Sequence, residues 1–452
     1  MSRLSRARQA ATLTTDLYRE RCTRWYAGRF GRDDHARLRL REGRKDPYAI
    51  YEQMRATGPM QQTRLGNWVT TSHAVCNQVL RSRDFGVREP GGVVHGGTNE
   101  EFDLSFLGLN PPDHGRLRRL AGPAFSPKMM ASYTTKIEKT VHTLLDVAEQ
   151  RGEFDLIADF AAPLPIAVIT EMMGVPDADV EAFQRYGRAL GSALDGLRSL
   201  THAREVIRAN VALEAVFEAL FALRERQPRD DLVSALVVER GQRIEPRELV
   251  PMCSLLLVAG FETTVNLIGN ATLALLHNPE QWQTLRNNPS LAACAVEEVL
   301  RYDPPVQETA RVAFRDNEIG GVAVGRNQWV VTMLAAANRD PDVFTDPGRF
   351  DITRAPIEHL AFSSGIHYCL GAPLARLEAT IALAALAGRM PGLRQTGRVV
   401  CGLRRRSAAR AGCRLRPGER TAYLDSHRQT FEQKCAGLDP ARCRCAVRRP
   451  RP

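Results

Sequence analysis

The sequence holds no Cys-x-x-Cys pair although it has 10 cysteines in 452 residues, which removes the usual support for a zinc ribbon or finger. It also lacks a long hydrophobic run. The longest, Cys253–Phe261 and Ile381–Ala387, fall well short of the ~18–20 residues that cross a bilayer. The first 30 residues scatter Arg among Ser and Thr with no apolar core, so no secretory signal is expected. No internal repeat is visible, and no low-complexity tract outside the Arg-rich ends. What is there is ordinary for a globular protein: 44% apolar and 25% charged residues. That length supports a large core in one big domain or two to three smaller ones. Disorder of the whole chain and a small disulfide scaffold are both excluded. The expectation is a soluble cytoplasmic protein with reduced thiols.

Acidic charge is scarce only at the two ends. The formal net charge is +11, yet residues 1–45 carry 13 Lys+Arg against 5 Asp+Glu and residues 401–452 carry 14 against 4, leaving 46–400 at −7. A mildly acidic body argues against a nucleic-acid footprint. The divisions expected are a basic N-terminal arm (1–45), a main body (46–400) and an atypical Arg/Cys-rich tail (401–452). Both ends read as solvated segments. Five cysteines, Cys401, Cys413, Cys435, Cys443 and Cys445, crowd into the tail, and Cys22, Cys76, Cys253, Cys294 and Cys369 serve the rest.

The pattern of elements is mostly helical. A helix begins after Asp46-Pro47. Gly66-Asn67 signals a hairpin turn. Residues 84–108 read as a long loop, and Asn110-Pro111-Pro112-Asp113 as a helix start. Tyr133–Glu149 and Arg204–Arg226 carry apolar residues at three- and four-residue spacing. Residues 247–277 are apolar around nearly the whole circumference and should cross the interior. Pro251 sits early in that span, so either the helix starts there or its first turn is irregular. Alternating strands occupy 309–333, an irregular stretch 338–368, and a last helix about Leu370 to Arg389. The fold class is mainly α with a small β component.

Three short motifs carry chemistry. In Phe362-Ser363-Ser364-Gly365-Ile366-His367-Tyr368-Cys369-Leu370-Gly371, one Cys meets a helix start, where backbone N–H groups and a nearby base favour thiolate. Gly365 and Gly371 would let backbone approach a flat ligand. The ordinary alternative is a Cys acting as a small hydrophobe. In Ala259-Gly260-Phe261-Glu262-Thr263-Thr264, Ala259 and Thr263 share a helix face, and Gly260 costs about 1 kcal/mol relative to Ala, which suggests something close to that backbone. An acid and hydroxyls in an apolar helix imply a polar task. The alternative is a Thr bonded back to its own helix. The third motif, Glu298-Val299-Leu300-Arg301, spaces an ion pair on one face and alone says nothing.

Taken in order, these residues resemble the cytochrome P450 family of haem-thiolate monooxygenases, most of all its soluble bacterial members. The likeness runs from about Asp46 to Arg394 and includes Leu374-Ala375-Arg376, Ala335-Ala336-Ala337-Asn338-Arg339-Asp340-Pro341 and Pro347-Gly348-Arg349-Phe350. The resemblance implies the cytochrome P450 fold, with haem b between a long central helix and a Cys-ligand loop. It implies that Cys369 is the thiolate ligand of the haem iron and that Phe362 and Gly365 shape its loop. His114, Arg118, Arg311 and His367 would hold the haem propionates. Glu262 and Thr263 would deliver protons to dioxygen, with Ala259 and Gly260 lining the oxygen groove. Glu298, Arg301 and Arg349 would form a structural ion-pair cluster.

The implied reaction inserts one atom of O2 into an apolar small molecule, by hydroxylation or epoxidation. Electrons from NAD(P)H would arrive through separate chains, a ferredoxin and its reductase, since no GxGxxG follows a strand and no four-Cys ferredoxin spacing is present. The chain departs from the pattern at Ser363, where many bacterial members have Gly; this is tolerable if φ there is negative. It departs again at 401–452, which does not resemble the family's closing hairpin. Two alternatives follow: a haem protein with impaired turnover because of that tail, and a partner-binding or anchoring protein acting through its basic ends.

Overall fold

A computed structural model describes residues 15, 18–89, 105–177, 180–193, 197, 199–354, 357–396, 400–401, 411–412 and 447–448. In its first part come α1 (18–29), α2 (Asp34–Arg37), α3 (Arg41–Lys45), α4 (Tyr48–Ala56), β1 (Gln61–Gln62), β2 (Trp68–Thr70), α5 (His73–Arg81) and β3 (Phe85–Gly86). A helical middle follows: α6 (Asp113–Ala121), α7 (Pro127–Arg151), the short β4 (Glu153–Phe154), α8 (Pro163–Met172), α9 (Val180–Gly191), α10 (Leu200–Arg226), α11 (Leu232–Val238), α12 (Pro246–His277), α13 (Pro279–Asn287) and α14 (Ala292–Tyr302). Strands β5 (Thr309–Ala313), β6 (Asn317–Ile319), β7 (Val322–Val324) and β8 (Trp329–Thr332) precede α15 (Leu334–Ala337) and α16 (Ala372–Arg389). The described chain closes with β9 (Arg394–Gln395), β10 (Val400–Cys401), β11 (Ala411–Gly412) and β12 (Val447–Arg448).

Helix α12 organises the rest. Its start is fixed by a reciprocal capping box between Glu245 and Glu248, with Pro246 in the first turn, where a missing N–H costs nothing. The helix therefore begins before Pro251, which lies inside it. Length and mean hydropathy would let α12 cross a membrane, but 78% of its apolar window is buried in the protein, so its apolar surface is already spent on the core. That core is one large cluster in which Leu256, Phe261 and Ile268 of α12 join Ile137 and Leu145 of α7, Ile169 of α8, Phe217 and Phe221 of α10, and Leu383 and Leu386 of α16.

The β component is a five-stranded sheet in the order β1-β2-β8-β5-β3. Strands β2 and β8 run parallel, with Val69 opposite Val331, and β5 is antiparallel to β8, with Arg311 opposite Val330. The Gly66-Asn67 turn joins β1 to β2 as expected, closed by Thr63 and Asn67 backbone bonds, with Gly66 at φ +86°. Smaller apolar clusters pack under this sheet against α4 and α5.

Two expectations need correction. Residues 18–45 do not read as a solvated end: they are helical, and Ala27, Ala36 and Leu38 are buried. Asp33 caps α2 through Ala36 N (2.8 Å) and accepts from Arg64 N (2.7 Å). His35 meets Glu308 at 3.1 Å. In the tail, most of which lies outside the described residues, strands do occur. β10 pairs with β11, and β12 lies between β4 and β9. β11 also packs on α12.

Candidate functional site

Cys369 follows a single 3-10 turn, Gly365–His367, and precedes α16. Its own N–H donates to Phe362 O (2.9 Å), closing the loop. Burial pushes its thiol up; the N–H groups of Gly371 and Ala372 and the Arg118 charge pull the other way, as a helix start and a base should. The side chain nevertheless remains accessible. Below it, the Phe362 ring packs against the Arg376 guanidinium, 4.5 Å from its centroid. Arg376 is in turn held by Glu297 at 2.6 Å.

The glycines of this loop act differently from expectation. Gly365 has φ +69°, and a Cβ there would stand 2.4 Å from Leu80 O and 3.0 Å from Arg81 Cα. It is the end of α5 that requires this glycine. A Cβ at Gly371 would meet only Phe125, at 3.8 Å. Ser363 was tolerable at negative φ, but the structure gives it φ +62°, a conformation that costs a residue with a Cβ. Its hydroxyl is buried without a partner.

Four basic side chains converge from three elements: His114 and Arg118 of α6, Arg311 of β5, and His367 of the Cys loop. The imidazoles of His114 and His367 lie 4.2 Å apart between centroids. Arg118 donates to Tyr368 O (2.5 Å), the residue before Cys369. Arg311 is buried and, among the described residues, donates only to Thr309 Oγ1 (3.1 Å) and Ala310 O (2.8 Å). Burial, with Arg311, His114 and Arg118 nearby, drives His367 down to about 3. Burial, then Arg118 and Arg311, lowers His114, and burial lowers Arg311 to about 10. Two Nε2 atoms, of His114 and His367, are buried without a hydrogen-bond partner. Among the described residues no carboxylate acts on these three groups. Buried donors of one sign without an acid are unfavourable by themselves, and carboxylates of a ligand would satisfy them. The cluster, with an accessible Cys beside it, fits the propionates and iron of a haem.

On α12, Ala259 is exposed and Gly260 and Thr263 half-buried, while neighbours on the other faces, including Phe261, Glu262 and Thr264, are buried. The helix thus presents one accessible stripe of small residues. Thr263 Oγ1 donates to Ala259 O (2.8 Å), the bond back to its own helix that the sequence left open. A Cβ at Gly260 would touch only Ile169, at 3.6 Å, so no protein backbone demands this glycine. Glu262 points elsewhere: its carboxylate lies against Gly191 at the end of α9, where a Cβ would stand 2.6 Å from Oε2. Nothing in the local pattern of residues signals that contact.

The ion-pair cluster is built as expected in two of three members. Arg301 binds Glu298 through two contacts of 2.7 Å, both side chains fully buried. The third side chain belongs to Arg354, 3.3 Å from Glu298. Arg349 offers only its carbonyl to Arg301 (2.9 Å), and its own guanidinium, 66% exposed, reaches Asp351 at 3.6 Å.

Comparison with known proteins is consistent with this geometry. Residues 197–387 match the family model for cytochrome P450. The chain is 42% identical over 359 residues to the biotin biosynthesis cytochrome P450 of Bacillus subtilis, covering 77% of this chain and 90% of that protein. It is 41% identical over 368 residues to cytochrome P450 107B1 of Saccharopolyspora erythraea, covering 77% and 89%. Among solved structures, P450BioI in complex with a hexadec-9Z-enoic acid-ligated acyl carrier protein superposes with a TM-score of 0.77 at 40% identity, covering 82% of this chain and 98% of that one.

Proposed function

The chain belongs to the cytochrome P450 family of haem-thiolate monooxygenases, and from that premise we propose that it hydroxylates or epoxidises an apolar small molecule in the cytoplasm. Cytochrome P450s use haem b and take electrons from NAD(P)H through redox partners. We assign that delivery here to a separate ferredoxin and its reductase. Bound haem supplies O2 activation at iron, so that one oxygen atom enters the substrate and the other leaves as water.

The protein's own residues do the rest. Cys369 ligates the iron, its sulfur held by the N–H groups of Gly371 and Ala372. Phe362 and Gly365 fix the loop that presents it. His114, Arg118, Arg311 and His367 would hold the haem propionates, whose negative charge would favour the protonated form of His367. Ala259 and Gly260 keep the α12 stripe narrow beside the oxygen site. Thr263 would present a hydroxyl there, and Glu262, buried against the end of α9, would be the acid that supplies protons to it. The observation that carries the reading is a basic cluster with no acidic partner among the described residues, beside an accessible Cys at a helix start.

The decisive experiment is the CO difference spectrum of reduced full-length protein beside Cys369→Ser. A red-shifted Soret band in the wild type alone supports thiolate ligation by Cys369. The same band in both, or in neither, would sink the assignment. NAD(P)H consumption matched by oxidised product then separates a working monooxygenase from a haem protein that does not turn over.

A further inference from the structure

Helix α1 is amphipathic in the wrong sense. A surface helix normally turns its apolar stripe inward. In α1 the inward side carries Ala27 and Gly28, both buried, and Arg24, paired with Glu20. Burial, and then Arg39, depresses that Arg24 to about 10, with Glu308 opposing them. Gly28 sits against α2, where a Cβ would stand 3.0 Å from the Ala36 carbonyl carbon. The outward side is aromatic: Tyr18 is 47% exposed, Trp25 54%, Tyr26 64%, and Phe30, in the turn that ends the helix, 59%. Tyr18, Cys22, Trp25, Tyr26 and Arg29 recur at three- and four-residue spacing and so share a face.

The rings of Trp25, Tyr26 and Phe30 are gathered into one strip. Phe30 lies 5.5 Å from Trp25 and 5.4 Å from Tyr26, centroid to centroid, and Arg29 covers the Phe30 ring at 5.5 Å. Scattered single apolar residues on a surface need no explanation, but a contiguous aromatic strip does.

We propose that α1 is a peripheral membrane-docking helix that lays this aromatic face on an anionic lipid surface. The residue chemistry selects the occupant. Trp and Tyr rings flanked by Arg are the composition of helices that lie at a bilayer interface. From 18 to 30 there are four Arg and a single acid, Glu20, which is on the inward side. Across 1–45 the balance is 13 Lys+Arg to 5 Asp+Glu. A positive strip is attracted to anionic headgroups and repelled by a second copy of itself. The inference is independent of the substrate. It would place the enzyme where apolar molecules dissolve.

The test uses full-length haem-loaded protein with vesicles of phosphatidylcholine alone and of phosphatidylcholine mixed with phosphatidylglycerol. The expected result is co-sedimentation with the anionic vesicles only, reversed at high salt, and quenching of tryptophan emission by brominated lipid. Trp25→Phe should keep binding and lose that quenching. Trp25→Ser with Phe30→Ser should weaken partitioning by more than about tenfold with the Soret band unchanged. Absence of binding to anionic vesicles overturns the proposal. So does binding that the double substitution leaves intact, or a dimer by light scattering that the same substitutions dissociate.

Discussion

Gly191 is the residue on which the placement of Glu262 turns. A methyl group there would meet the carboxylate at 2.6 Å, and the carboxylate, being the flexible partner, would have to move. Gly191→Ala should therefore leave the fold and substrate Kd nearly unchanged while lowering product formed per NAD(P)H consumed. A loss of about 10- to 100-fold in kcat is expected, since a misplacement near 1 Å costs that much. Unchanged coupling would remove Glu262 from proton delivery. Ser363 gives a second test. Relieving its φ of +62° by Ser363→Gly should stabilise the protein by about 1 kcal/mol, read as a higher Tm of the haem-loaded form; an equal or lower Tm refutes the strain. Neither feature could be read from sequence. Motif residues such as Cys369 and His114 are legible because a short run of neighbours identifies them. A backbone angle at 363, or the contact between residues 191 and 262, is set by packing that no local pattern encodes.

At the scale of elements, the Glu298 cluster ties α14 to the irregular stretch before the Cys loop. Arg301 donates to the carbonyls of Pro347 (2.8 Å) and Arg349 (2.9 Å), and Glu298 accepts from Asp351 N (2.9 Å). Removing one member of a fully buried pair strands the other, at about 3–5 kcal/mol. Arg301→Ala should thus lose that much in chemical denaturation, and with it haem retention. Arg354→Ala, at a side chain 15% exposed, should lose less, and Arg349→Ala about 0–1 kcal/mol. A loss at Arg349 equal to that at Arg301 would contradict the geometry. The resemblance to the family put Arg349 in this cluster, and it is the turn between Arg349 and Arg354 that decides which side chain folds back. The same reasoning applies to 18–45. Its composition reads as solvated, but its anchors are partners far along the chain, such as Glu308 for His35, and composition does not register them. The long helices, by contrast, were legible because their apolar period is local, although α7 begins at Pro127, ahead of the Tyr133 where that period is first clear.

For the molecule as a whole, the most informative titrating group outside the site is Glu378. It lies on α16 amid Leu374, Ala379 and Ala382, is 2% exposed, and has one carboxylate oxygen without a hydrogen bond. Burial alone pushes this carboxyl up to about 8. The folded state therefore holds a proton that the unfolded chain releases near 4.5. Stability tied to that proton is whole below the unfolded pKa and is lost as pH rises toward the folded one, at up to about 1.4 kcal/mol per pH unit. In the haem-free protein, below 6.5 the lowered imidazoles of His114, His277 and His367 oppose this slope, because they lose stability as pH falls. Glu297, held near 2 with Arg376 and His359 as partners, acts only in acid. The window from 6.5 to 8 isolates Glu378. Glu378→Gln should flatten the stability curve there, so that its Tm gains on the wild type by on the order of 1–2 °C per pH unit. The two curves running parallel from pH 6.5 to 8 would mean that Glu378 is already ionised.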